Sequence, residues 1–380
     1  MLARHLLCSS LGQSAVSLQA CFAGRANRPT NRGQAVLLTQ EPMLRRFWHC
    51  LFPLSELDDK PRPFRLLGED IVVWKDADGA PHAVQDRCPH KTAKLSLGYL
   101  QNDDIVCPYH GWAFDGEGVC TLIPQEVAPR ERKVHVRAYH CAERYGQVWV
   151  CLDEPALDIP EVEPFKDPSF RQVFEFSEDW ACSPLRIMEN EFDAAHLSFV
   201  HATSFGNTDP IPALPAIEIL DDGFIARSQP AVRNPEGMRS ALHMTSATTV
   251  RTTTGRYYVP FFRVTEIAYP NGLKNILVTA LTPIDDRNTR FNQFVLRNDT
   301  EEQVSSAQVI AFDRRVTLED KLILESTDPD VPLDASEDDE EHMASDRPGL
   351  LMRKKVRAFC DELRRTGSLG DLVEVRLAGE

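Results

Sequence analysis

Cys88-Pro89-His90 and, after sixteen residues, Cys107-Pro108-Tyr109-His110-Gly111-Trp112 present two thiols and two imidazoles from two separate loops. Thiolate pairs hold iron strongly and imidazole pairs leave it less negatively charged, so the set suits either a mixed-ligand [2Fe–2S] cluster or a structural zinc. The spacing separates the two. Zinc sites usually take both ligands of one kind from one turn, whereas here each loop supplies one Cys and one His, as C-x-H and then C-x2-H. Two thiolates can then clasp one iron and two imidazoles the other.

The sequence around these loops reads as short strands broken by turn chemistry. Ile71 to Trp74 precedes Asp76-Ala77-Asp78-Gly79, and Ala113-Phe114 precedes Asp115-Gly116-Glu117-Gly118. The runs Val134 to Cys141 and Gln147 to Leu152 close this all-β module, after which Pro155, Pro160 and Pro164 mark a connector. Three segments follow: 1–42, a leader or extension; 43–155, an all-β domain; and 156–380, a second domain. The first 40 residues lack Asp and Glu and carry Arg4, Arg25, Arg28 and Arg32. They read either as an organelle transit peptide or as a disordered extension ahead of Met43.

The Cys/His loops resemble the Rieske family, and Gly98 and the Gly111-Trp112 pair match it as well. Respiratory members of that family carry an extra Cys in each loop, joined by a disulfide that raises the potential. Ala93 and Tyr109 stand in those places here. The resemblance therefore implies a lower-potential cluster, suited to accept electrons from a ferredoxin or flavin reductase.

In the second domain, Cys182-Ser183-Pro184 opens a helix from Leu185, strand-like runs recur from Ala216 to Asn298 with a turn at Tyr269-Pro270-Asn271-Gly272, and Glu301 to Glu325 and Leu350 to Leu363 have helical periodicity. The fold expected is α+β, an antiparallel sheet gripping helices. Asp334 to Glu341, six of whose eight residues are acidic, reads as a solvated loop. On the first helix, Asn190, Asp193 and His196 at successive i+3 steps share one broad face. His196 and His201 are five apart, about 140° around an ideal helix, so they converge only if the helix ends or distorts between them. Two imidazoles at a distorted helix end suggest a metal, and two His with one carboxylate form the facial triad of non-haem Fe(II). Asp193 is better placed to support the imidazole; Asp320, in Leu318-Glu319-Asp320-Lys321-Leu322, is the distant carboxylate, with Glu319, Glu325 and Asp313 as alternatives.

N-x2-D-x2-H-x4-H with a late E-D on a helix resembles the oxygenase component of Rieske non-haem iron oxygenases, over roughly Met43 to Leu363. That resemblance implies a [2Fe–2S] cluster on Cys88, His90, Cys107 and His110, and mononuclear Fe(II) on His196, His201 and Asp320. It also implies that Asp193 links the iron site to a Rieske His of a neighbouring subunit in a homotrimer, with Asn190 beside the metal. The branch that includes vanillate demethylase, pheophorbide a oxygenase and the saxitoxin-pathway hydroxylases is the most similar. The activity implied is hydroxylation or oxidative demethylation of a small organic substrate with O2, using NAD(P)H electrons from a separate reductase. The alternative is a Rieske electron carrier whose second domain is not catalytic; the His/His/carboxylate set discriminates, since a carrier needs no second iron.

Composition excludes several classes. With 57 acidic against 42 basic residues the formal charge is −15, which disfavours a nucleic-acid partner. No apolar run reaches the roughly 18 to 20 residues that cross a bilayer. Ten cysteines in 380 residues fit a reduced compartment rather than a disulfide scaffold. The cytoplasm is the expected location, or an organelle if residues 1–42 are a transit peptide.

Overall fold

The computed structural model describes residues 36–127, 134–206, 209–234, 236–239, 242–337 and 340–369. Most of the expected leader lies outside the described residues. The described fold begins before Met43: Leu38 is buried, and Glu41 accepts a hydrogen bond from Arg364 at 2.6 Å.

Two antiparallel sheets form the all-β part. Six strands run in the order His49–Pro53, Gln147–Cys151, Ala138–Arg144, Pro81–Gln85, Glu69–Lys75 and Arg62–Leu66. A smaller four-stranded sheet, Tyr99–Gln101, Asp104–Val106, Ala113–Phe114 and Cys120–Leu122, lies in the chain between two of its neighbours. Gln147–Cys151 is buried along its whole length, as its apolar run requires of an inner strand. The Cys/His loops lie just outside the ends of strands Pro81–Gln85 and Asp104–Val106.

A seven-stranded antiparallel sheet follows, in the order Arg171–Trp180, Thr289–Arg297, Lys274–Pro283, Phe262–Ala268, Thr252–Tyr258, Gly223–Ser228 and Ala216–Leu220. The helices are α1 (Pro184–Phe192), the short α2 (Glu236–Arg239), α3 (Ser306–Leu324) and α4 (Arg347–Thr366). The α+β arrangement expected, an antiparallel sheet with helices, is what is found. Helix α3 begins at Ser306, five residues after the periodicity starts, because Ser305 and Gln308 form a capping box there.

One apolar core runs from the six-stranded sheet, through Leu51, Leu66 and Val148, to Trp180, Phe291 and the α4 residues Val356 and Phe359. A second cluster joins Trp149 to Phe262, with ring centroids 5.6 Å apart. Polar contacts cross at the same joint: the Cys50 carbonyl accepts from Thr282 and, at 2.7 Å, from Asn292 Nδ2. Residues 36–369 therefore pack as one unit, and the change of sheet near residue 155 is not a break in the core.

The acidic segment Asp334 to Glu341 is not simply solvated. Asp334 pairs with Arg357, and Glu340 accepts from Arg186, which also holds Glu189 at 2.7 Å. Three arginines from α1 and α4 (Arg186, Arg353 and Arg357) face this run and its neighbour Glu189, which a count of acidic residues along the chain does not reveal.

Candidate metal centres

The first site is built by two short turns. Cys88 N donates to Ala93 O at 2.8 Å and Thr92 N to Cys88 O at 2.9 Å, closing one loop; Cys107 N donates to Trp112 O at 2.8 Å and Gly111 N to Cys107 O at 3.0 Å, closing the other. Gly111 has φ +75°, a left-handed conformation that favours glycine directly after His110. At Gly98 a β-carbon would fall 1.9 Å from Val106 O, so only glycine lets the adjoining hairpin approach the second loop.

These turns bring all four expected side chains together. Cys88 and Cys107 are buried and hydrogen-bonded to each other, while His90 and His110 are half-exposed, their rings 4.5 Å apart. Trp112 stacks on His90 at 4.6 Å with the planes 3° apart. Burial pushes the Cys88 thiol up to about 11. At neutral pH the Cys88 thiol stays protonated unless a cation replaces the proton, and two buried thiols beside two part-exposed imidazoles fit a mixed-ligand [2Fe–2S] cluster.

The second site starts where α1 stops. The helix ends at Phe192; Asp193 is extended, with φ −75° and ψ 134°. Asn190, Asp193 and His196 therefore do not share one helical face. Asp193 competes with the helix for backbone donors: its carboxylate accepts from Ala195 N at 2.8 Å and His196 N at 3.0 Å. A single tight turn, His196–Ser198, follows, and the chain bends so that both imidazoles converge. The break that the five-residue spacing demands is present. Gly206 supports the bend: its N–H donates to His201 O at 2.9 Å, and a β-carbon there would meet Leu197 O at 1.9 Å.

His196, His201 and Asp320 place their donor atoms within 4.8 Å of one another. Asp320 Oδ1 lies 3.1 Å from His201 Nε2 and 3.5 Å from His196 Nε2. The opposite ring nitrogens are engaged elsewhere: His196 Nδ1 with Asp193 Oδ2 at 3.1 Å, and His201 Nδ1 with Glu319 Oε2 at 2.8 Å. With Nδ1–H donated to a carboxylate, each Nε2 turns a lone pair toward Asp320, and the three groups repel unless a cation sits among them.

The electrostatics agree. Burial opposes the charged form of Glu319, yet bonds from Ser204, His201 and Thr203 hold its carboxyl below the usual range; burial likewise opposes, and His196 with Ala195 N–H outweighs it, at Asp193. At His201 burial also opposes, but Asp320 and Glu319 raise the imidazole above its ordinary value, so the spot favours positive charge.

The alternatives to Asp320 separate cleanly. Glu319 stands behind His201, Glu325 accepts from Ala181 N at 2.9 Å, and Asp313 is buried against Glu175. Asn190 and Asp193 line a polar cleft with Arg186, Glu189, Glu340, His342 and Asp346. The support by Glu319 and Gly206 escaped sequence reasoning, although the Glu319-Asp320 doublet holds the first of these signals.

Comparison with known proteins agrees on both halves. Residues 47–140 match the Rieske [2Fe-2S] domain family and residues 180–362 the vanillate O-demethylase oxygenase C-terminal domain family. The chain is 31% identical over 347 residues to a methylxanthine N1-demethylase of Pseudomonas putida, covering 88% of this chain and 94% of that one. It is 32% identical over 203 residues to the dicamba O-demethylase oxygenase component of Stenotrophomonas maltophilia, covering 52% of this chain and 58% of that one. A solved structure of Pseudomonas putida NdmA with caffeine superposes with a TM-score of 0.75 at 27% identity, covering 88% and 97% of the two chains.

Proposed function

The chain belongs to the Rieske non-haem iron oxygenases, and from that membership we propose that His196, His201 and Asp320 hold its Fe(II), and Cys88, His90, Cys107 and His110 its [2Fe–2S] cluster. It is an oxidoreductase that acts on a small organic substrate with electrons from a reductase or ferredoxin. The reaction proposed is hydroxylation or oxidative N- or O-demethylation of an aromatic or heteroaromatic compound, in line with the demethylases it is similar to. When bound, the two groups would supply single electrons and oxygen activation.

The observation that carries this reading is the convergence of both Nε2 atoms on Asp320 Oδ1, with a carboxylate behind each ring. An electron carrier has no use for that arrangement. Asp193 and Glu319 fix the tautomers and aim the rings, which keeps two lone pairs available at one point.

Asp193 is the proposed link to a neighbouring subunit. It is part-exposed at the rim of a cleft between α1 and α4, and His110 is likewise part-exposed. Access to both residues supports a head-to-tail homotrimer in which His110 of one copy approaches Asp193 of the next. The proposed location is the cytoplasm; among the described residues no helix is long and apolar enough to cross a membrane.

The test is an iron count on anaerobically purified protein. About three irons per chain are expected, falling to about two in His201→Ala with the cluster's colour intact. Two in both would return the chain to the electron-carrier reading. Substrate-dependent oxygen uptake with a surrogate reductase, across methylated purines and methoxybenzoates, then narrows the substrate.

A further inference from the structure

The side of α3 that carries Asp320 carries a second acid two turns away. Asp313 lies seven residues before Asp320, about 10 Å along the axis on the same side, and is buried. Facing it, the strand Arg171–Trp180 slips register against Thr289–Arg297 between Phe174 and Phe176. The residue inside that bulge is Glu175, also buried, on the same side of the strand as buried Val173 and opposite exposed Phe174.

The two carboxyls are both buried and lie close enough to act on each other's charge. Gln293 Nε2 donates to Glu175 Oε2 at 2.6 Å, while Glu175 Oε1 and Asp313 Oδ2 are buried and receive no N–H or O–H from another residue. Two such oxygens attract only with a proton between them. The charged groups that face the pair are Arg297, which is engaged with Asp299 at 3.1 Å, and Arg251, whose guanidinium lies 4.9 Å from the Phe205 ring that stacks on His201. Burial raises both acids, and for Glu175 the neighbouring Asp313 raises it further.

We propose that Glu175 and Asp313 share one proton at neutral pH, and that this contact is the positioning device that seats α3, and through it Asp320, on the sheet. The second half rests on the reading of Asp320 as a metal ligand. Loss of the proton leaves two like charges in a buried contact between α3 and the strand Arg171–Trp180. Because the folded protein holds a proton that the unfolded chain releases above the ordinary carboxylate range, this stabilisation is complete below that range and is lost as pH rises through the folded-state value.

Glu175→Gln offers Asp313 an amide N–H in place of the shared proton and removes the pH dependence. Denaturant unfolding of the full cluster-loaded chain, followed from about pH 5 to pH 9, should show the wild-type folding constant falling relative to Glu175→Gln by up to about tenfold per pH unit over part of the range. Cobalt(II) affinity of chelator-treated protein should fall at least about tenfold relative to the variant over the same interval. Parallel stability curves would overturn the shared proton. Divergent stability with parallel cobalt affinities would overturn the positioning role. Absence of cobalt binding in both proteins would instead refute Asp320 as a ligand, and the positioning role with it, while the stability curves still decide the proton. Should Glu175→Gln fail to fold, Asp313→Asn makes the reciprocal amide bond and serves the same comparison.

Discussion

The two sites of this chain are assembled in opposite ways. The Cys/His site draws its four side chains from a span of 23 residues and closes them with backbone bonds inside two loops. The His/His/Asp site joins a broken helix end to a residue 119 positions after His201, and its geometry depends on carboxylates behind the rings. The first is fixed by local chain conformation, the second by packing between distant elements. Damage should therefore spread differently: a defect at the first stays in its loops, while a defect anywhere along α3 reaches the second.

The largest effect should come from Cys88→Ser, which removes a buried thiolate and abolishes the cluster signal while leaving the mononuclear metal affinity within about threefold. Loss of both metals in that variant would break the separation of the two sites. Asp193→Asn should retain both metals and slow cluster oxidation in single turnover by about 10- to 100-fold, since the amide cannot accept from His196 as a carboxylate does. An unchanged rate would place the coupling elsewhere. Glu319→Gln should weaken metal affinity by about 10-fold without touching the cluster's spectrum, because His201 then loses a charged acceptor at 2.8 Å.

A last effect lies away from both sites, near the joint between the sheets, and is measured as stability. His49 is buried and donates from Nε2 to Leu44 O at 3.0 Å, and burial lowers its imidazole to about 4. Its unfolded value is higher, so the stabilisation is complete above the ordinary histidine range and is lost as pH falls toward about 4, in all about 3 kcal/mol. His49→Gln should flatten that part of the stability curve in denaturant titrations. An unaltered acid limb would mean that other groups govern it.

How much of this was legible beforehand follows the same division. Cys88, His90, Cys107 and His110 could be read directly, because their loops need no distant partner. The pair His196 and His201 was legible as a contradiction: a five-residue spacing cannot converge on a straight helix, and the structure resolves it with Asp193 capturing the backbone donors that would have continued α1. Asp320 needed the family resemblance to be chosen over Glu319. The role of Glu319, the contact of Gly206 and the Glu175–Asp313 pair stayed hidden for one reason. Each depends on which side of an element faces which neighbour, and on its strand it is Glu175, with Val173, that turns inward while the apolar Phe174 turns out.

The Cys50 carbonyl, gripped by Thr282 and Asn292 from the larger sheet, sits on the strand that begins the smaller module. With Trp149 wedged against Phe262 beside it, the six-stranded sheet is held to the larger sheet at two adjacent strands. If copies associate as proposed, the gap an electron would cross between chains is set by how they stack, as between fixed contacts, and not by a swinging arm.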